Sequence, residues 1–154
     1  MEIYQRAWRN YYVDANLMDE WLERLNSLEL FKLVSICEGH CGEEHPYDAS
    51  PHINLRIGPE LCIQAMQSWA EFKRILGDIV DDLPGNDTYV NASIALDHSL
   101  PDSSCTSEVF RVSFECGQRR DTETMTAWFQ SWFVNAIAAI ELLDVQYCKF
   151  LKVK

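Results

Sequence analysis

Residues 52–57 read His-Ile-Asn-Leu-Arg-Ile, and this strict alternation decides what kind of fold the chain can make. Side chains of a β-strand point to opposite faces in turn, so Ile53, Leu55 and Ile57 face one way and His52, Asn54 and Arg56 the other. Such a strand is half wet, with one side on a core and the other on water. Two later stretches repeat the pattern. Val90, Ala92, Ile94 and Leu96 alternate with Asn91, Ser93 and Asp97, and Phe110, Val112, Phe114 and Cys116 alternate with Arg111, Ser113 and Glu115. The earlier stretch 30–37, Leu-Phe-Lys-Leu-Val-Ser-Ile-Cys, is apolar on both faces except at Lys32. It reads as a strand in the middle of the sheet, with Cys37 continuing the buried row of Phe31, Leu33 and Ser35.

Around the strands the apolar period changes to that of a helix. Asp14 is read as the cap of a helix over 15–28, whose stripe is Leu17, Met18, Trp21, Leu22, Leu25 and Leu28. Gly58-Pro59-Glu60 opens a second helix, with proline in the first turn where its missing N–H does no harm. Its stripe runs through Cys62, Ala65, Met66, Trp69, Phe72, Leu76 and Val80. Asp121 caps a third and longer helix bearing Met125, Trp128, Phe129, Trp132, Ala136, Ile140, Leu143, Tyr147 and Leu151. Trp21, Trp69, Trp128 and Trp132 thus read as core, and Trp8 stands outside any clear stripe.

The element order is α-β-β-α-β-β-α. Helices are what remains to cover the apolar side of the strands. The expectation is therefore a single α+β domain over 1–154, with a four-stranded, mainly antiparallel sheet and helices packed on one face. The other face would carry His52, Asn54, Arg56, Asn91, Ser93, Arg111, Ser113 and Glu115. Among these, His52, Asn54, Arg56 and Arg111 are the ligand-binding candidates, and a merely solvated sheet face is the plainer alternative.

Composition narrows the function classes. At 47% hydrophobic and 24% charged, the chain is globular rather than disordered. The longest apolar run, 136–145, is broken by Glu141 and Asp144 and falls short of the roughly twenty residues a membrane span needs; no membrane partner is expected. The N-terminal residues lack the apolar core of a secretion signal, which makes the address cytoplasmic and the six cysteines reduced. The formal net charge is −11. Nucleic-acid binders need a basic footprint, and the only compact basic group in the sequence is Arg119-Arg120 with Arg111, so nucleic acid is disfavoured. A basic protein partner or a bound cation is compatible with such acidity.

The chemistry-bearing side chains crowd into one segment. The sixteen positions from Cys37 to His52 hold three of the four histidines and two of the six cysteines. The segment starts where a strand ends, a placement that displays side chains from a rigid base. Thiolate and imidazole are preferred zinc ligands, and short gaps let a turn bring two of them onto one ion. Cys37 with His40, and Cys41 with His45, have such gaps, and Glu38, Glu43 and Glu44 add attraction for a cation. A second possibility is nucleophilic: Cys37 or Cys41 beside His40 or His52 as a thiolate–imidazolium pair. A third is structural, with Gly39 and Gly42 shaping a turn that the histidines decorate.

The run Leu33-Val34-Ser35-Ile36-Cys37-Glu38-Gly39-His40, after a helix ending Trp21-Leu22-Glu23-Arg24-Leu25-Asn26 and before Pro51-His52-Ile53-Asn54-Leu55-Arg56, is similar to a segment of small uncharacterised domains with a Ser-x-Cys-Glu-Gly-His stretch. It distantly resembles the Ser-Ser-Cys-Ser-Gly-Arg stretch of the tRNA wybutosine-synthesising protein 3 family. The likeness covers about residues 17 to 56. It implies that Ser35, Cys37 and Gly39 line a ligand pocket beside the sheet. His40 stands where that family has arginine, and the acidity of this chain speaks against a tRNA substrate.

The expected function is that of a small binding or interaction protein, acting through the strand-end segment 37–56 or the open sheet face. The alternative is a small metal-assisted enzyme using the Cys37–His52 region. Phe133 and Ile137 widen the stripe of the last helix, which leaves two readings: self-association into a homodimer, or a helix buried at the centre of the fold.

Overall fold

A computed structural model describes residues 5–9, 11–40, 50–57, 64, 65, 67–85, 87–96, 108–120 and 124–153. The elements are β1 (Gln5–Trp8), β2 (Tyr11–Asp14), α1 (Asp19–Asn26), β3 (Phe31–Cys37), β4 (His52–Ile57), α2 (Trp69–Asp81), β5 (Thr88–Leu96), β6 (Glu108–Cys116) and α3 (Ala127–Val153). Strands β3 to β6 form the expected four-stranded sheet in the order β3-β4-β6-β5, antiparallel at every pairing.

The helices take the apolar face, as the alternation requires. Phe72 of α2 meets Phe110 edge-on at 4.4 Å, and Tyr147 of α3 lies 4.9 Å from Phe72. On the other flank Trp21 of α1 stacks on Phe133 of α3 at 5.0 Å. Phe133 and Ile137 are fully buried within the chain. The wide stripe of α3 is therefore that of a central helix, flanked by α1 and α2, and the two residues that suggested pairing with a second copy are used inside the fold.

Four local readings are corrected. The N-terminal residues form a hairpin, β1 with β2, that the sequence pattern did not announce. Asp14 is the last residue of β2 and not a helix cap; α1 begins at Asp19 behind Met18. Trp8 is buried by this hairpin, whereas Trp128 at the start of α3 is 44% exposed. Finally, β3 is an edge strand and not a central one. Its pairing with β4 slips between Leu33 and Ser35, so Ser35 falls opposite Asn54, Ile36 opposite Ile53 and Cys37 opposite His52. One extra residue in one strand reverses the side-chain phase beyond it. The apolar look of both faces of 30–37 came from this phase change. Past the slip, Ile36 points to the core, and Ser35 and Cys37 share the side of Asn54 and His52.

The start of β3 is tied to α3. The buried carboxylate of Asp144 accepts the backbone N–H groups of Glu29, Leu30 and Phe31 at 2.9, 2.8 and 2.9 Å. Backbone groups buried in a loop need such partners, and one aspartate supplies three.

Candidate functional site

The end of β3 runs past the end of β2, and the two termini assemble a buried polar cluster. Gly39 adopts a φ of 91°, a conformation that favours glycine, and this tight bend returns His40 towards the strand it follows. The Nε2 of His40 lies 3.3 Å from the Sγ of Cys37. The backbone N–H of Gly39 donates to the same sulfur at 3.4 Å, and that of Glu38 donates to Oδ2 of Asp14 at 2.8 Å. Ligand atoms of Asp14, Cys37 and His40 all lie within 4.8 Å of one another, making a possible metal-binding triad. Asp14 and Cys37 are buried and His40 is half-buried.

Beside the triad stands a buried ion pair. The carboxylate of Glu38 accepts the backbone N–H of Asn16 at 3.0 Å and lies 3.5 Å from the guanidinium of Arg120. Arg120 also donates to the backbone carbonyl of Glu38 at 3.1 Å. Arg120 is buried, so the Arg119-Arg120 pair is not the surface basic group its sequence suggested. The local count is two buried carboxylates, Asp14 and Glu38, against one buried guanidinium. Among the described residues Asp14 forms no ion pair.

This setting governs the protons. Burial pushes the Cys37 thiol up to about 12, with the nearby Asp14 carboxylate adding to the effect and the Gly39 N–H opposing it. Burial likewise raises the Glu38 carboxyl, against the pull of Arg120. Such burial favours the protonated thiol, which speaks against the thiolate–imidazolium pair of a cysteine nucleophile. A metal ion changes that balance, because a coordinating thiol gives up its proton to the ion.

Asp14 also borders the cavity between the hairpin and β3, about 330 Å³ in volume, with Trp8, Tyr12, Leu33 and Ser35 among its walls. Asp14 alone of the triad thus reaches a space large enough for a small ligand.

The remaining candidates lie on the sheet face away from the helices. Three cross-strand rows are set by the register. The first is Lys32, Arg56, Arg111 and Ser93; the second is Ser35, Asn54, Ser113 and Asn91; the third is Cys37, His52, Glu115 and Tyr89. In the second row Asn54 donates to Ser35 Oγ at 2.8 Å and accepts from Ser113 Oγ at 2.6 Å. In the third, the Nδ1–H of His52 donates to the Ser50 carbonyl at 2.9 Å, which fixes the ring without placing it in the triad. Lys32, Asn91, Ser93, Arg111 and Glu115 are exposed.

Of the metal candidates, Cys37 and His40 are brought together, and Cys41 and His45 lie outside the described residues. Of the ligand-binding candidates, His52, Asn54, Arg56 and Arg111 share one face, as expected. Asp14 and Arg120 were missed. A signal for Asp14 existed in the β-prone run Tyr11-Tyr12-Val13 before it, which argues for strand over cap. Arg120 had none, since a buried guanidinium in a post-strand loop looks like any exposed one. Of Ser35, Cys37 and Gly39, expected from the resemblance to line a pocket, Ser35 borders the cavity between the hairpin and β3, Cys37 belongs to the triad, and Gly39 makes the bend between Cys37 and His40. No helix among the described residues is long and apolar enough to cross a membrane. The chain matches no protein-family model, no curated protein and no solved structure.

Proposed function

We propose that this is a small metal-binding protein in which Asp14, Cys37 and His40 hold one divalent transition-metal ion. Zinc suits the donor set best, since it accepts thiolate, imidazole and carboxylate together. The carrying observation is the 3.3 Å approach of Cys37 Sγ to His40 Nε2 beside the buried Asp14 carboxylate. Tetrahedral zinc, with bonds near 2.3 Å to sulfur and near 2.0 Å to nitrogen, sets such donors about 3.5 Å apart. The buried carboxylate excess supports the same reading, because buried charge is costly without a partner. The Glu38–Arg120 pair then acts one layer out, holding the Glu38-Gly39-His40 bend in place. A reducing cytoplasmic setting keeps the sulfur available as a ligand.

A second reading follows from the cavity that Asp14 borders. Three protein ligands leave a fourth tetrahedral position, and a site of that type carries a water that the ion acidifies. Metal-assisted hydrolysis of a small molecule held in the cavity is the corresponding enzyme class.

Elemental analysis of protein purified without a histidine tag tests the primary reading. The expected result is about one equivalent of zinc, lost in C37S and H40A. Wild-type protein that stays metal-free after incubation with excess zinc sulfate and desalting would overturn it.

A further inference from the structure

The three helices share one side of the sheet, yet their water-facing surfaces are unlike. On α1 the exposed positions are Asp19, Glu20, Glu23 and Asn26, three of them charged. On α2 four of six are charged: Lys73, Arg74, Asp78 and Asp81, against Ala70 and Gly77. On α3 the nine exposed positions from Ala127 to Gln146 carry no charge. Val134, Leu142 and Val145 are 42%, 47% and 63% exposed there. Only two charged residues stand between 127 and 148, and both are occupied: Asp144 is buried on the backbone of β3, and Glu141 pairs with Arg24. Phe133 and Ile137 point into the core and have no part in this outer side. A helix apolar all round is the pattern of one that is covered all round. The sheet and its two neighbours cover the inner side of α3, and the outer side is bare.

The spacing along the outer side is symmetric. With about 3.6 residues per turn, Val134, Ala138, Leu142 and Val145 fall within an arc of about 80°. Ala127 and Ser131 extend this arc at one end and Lys149 at the other. Counted from Ala138, its positions recur in both directions: Val134 against Leu142, Ser131 against Val145, Ala127 against Lys149. A repeat of eleven residues is close to the period of the helix itself, so the arc runs straight along α3. Two copies packed antiparallel about Ala138 therefore set Val134 on Leu142 and Ser131 on Val145. At each crossing a larger side chain meets a smaller one, and the alanine at the centre lets the backbones approach. Lys149 comes to the neighbourhood of Trp128, an aromatic face, and not to a second lysine.

We propose that the outer arc of α3 is a docking surface for a second copy of this chain, packed antiparallel about Ala138. Charge selects this occupant. A basic partner would meet no carboxylate on the arc, because the exposed acids of this layer stand on α1 and α2. An anionic membrane surface would meet Glu20 and Glu23 of α1 and a formal charge of −11, the opposite of the Lys- and Arg-rich faces that lie on lipid. A second copy carries the same net charge, and two like-charged molecules meet at least cost where neither surface is charged. The size also fits. The helix spans about 40 Å, and a strip about 20 Å wide along it, taking in the bordering sides of α1 and α2, is about 800 Å². That is the share one partner contributes to an interface of standard size. No residue of the Asp14–Cys37–His40 triad lies on α3, so the contact does not depend on the metal site.

Analytical ultracentrifugation of the full chain with EDTA present, from about 1 to 100 μM, decides the matter. The expected result is a dimer that tightens as salt rises from about 0.05 to 0.5 M, because screening relieves the repulsion between two acidic chains. L142E and V145E should each weaken association by roughly a hundredfold or more, since either places an unpaired carboxylate from both copies in the contact. Both side chains are exposed in the single chain, so circular dichroism spectra should match wild type. Cysteine cross-linking gives a readout that does not rest on those variants. Under mild oxidation A138C should yield a disulfide-linked dimer beyond the wild-type background. S131C, about 21 Å along the axis from its counterpart in the antiparallel pair, should not. A chain that stays monomeric at about 100 μM overturns the proposal. So does a dimer that persists in both glutamate variants, or one that falls apart as salt rises. Cross-linking of S131C as ready as that of A138C overturns the antiparallel packing. Association seen only when zinc replaces EDTA puts the contact at the metal site and removes it from α3, which separates this inference from the fate of the triad.

Discussion

Strand β3 is held at each end by a buried aspartate, and the two are used differently. At its start, Asp144 accepts three backbone N–H groups, from Glu29, Leu30 and Phe31. At its end, Asp14 accepts the backbone N–H of Glu38 and faces a thiol and an imidazole. A carboxylate saturated by backbone donors has no oxygen to spare for chemistry; its work is to hold the chain. A carboxylate with capacity left over, next to other ligand atoms, fits the binding role proposed for the triad. The type of residue and its burial are alike at the two places, and the partner inventory separates them.

The largest expected effect is at the saturated end. D144A leaves two buried N–H groups and one part-buried one without acceptors and should lower stability by about 3–5 kcal/mol in urea unfolding. D14A in metal-free protein removes one such acceptor and also relieves a buried charge excess, so its cost should be about 1 kcal/mol. Equal losses in the two variants would break the contrast, since Asp14 would then be as structural as Asp144.

Ligand response sharpens the same contrast. Zinc present at a hundred times its dissociation constant should stabilise the wild-type chain by about 2.7 kcal/mol, because it binds the folded state. D14N and C37S should lose most of that gain, whereas D144N should keep it on top of a lower baseline. A zinc-induced rise in melting temperature that survives in C37S would move the ion elsewhere.

The middle of β3 gives a smaller effect. Asn54 bridges Ser35 and Ser113 with both ends of its amide, so N54A should cost about 1–2 kcal/mol by denaturant unfolding without altering zinc content. A change in bound zinc in this variant would mean that the open face and the triad act as one unit.

These residues also mark how far the sequence could be read. The alternation at 52–57, 90–96 and 110–116 carried the sheet and its covered face, because a period of two is local and the helices left only one way to bury it. The slip between Leu33 and Ser35 was not readable, since a bulge is a pairing event between two strands and leaves a single run looking continuously apolar. The nearness of Cys37 and His40 was readable, because a turn of two residues creates it. The addition of Asp14 was not, because it comes from a hairpin twenty-three positions earlier whose strands have only four residues each. The Lys32–Arg56–Arg111 row was invisible for a related reason: three single cations on three strands become neighbours only once the register is known.

The smallest effect tests whether surface charge, rather than Asp144, holds the start of β3. Glu29 gives its backbone N–H to Asp144 and its carboxylate to Lys152 of α3. The hydrogen bond and charge of Lys152 hold the Glu29 carboxyl below its ordinary value of 4.5. A carboxyl depressed in the folded state contributes stability above the unfolded value and loses it as pH falls through the folded one. The Glu29–Lys152 pair therefore helps at neutral pH and fades in acid. Both partners are largely exposed, at 64% and 66% of their side-chain area, so solvent and salt screen the pair. E29Q should thus lower the melting temperature slightly at pH 7, show a smaller difference near pH 3, and lose the difference at pH 7 in about 1 M salt. It should fall far short of D144A under every condition. If E29Q approached D144A at neutral pH, the anchor at this end would be the surface pair, and the distinction between a saturated and an unsaturated aspartate would no longer support reading one end of the strand as scaffold and the other as the proposed site.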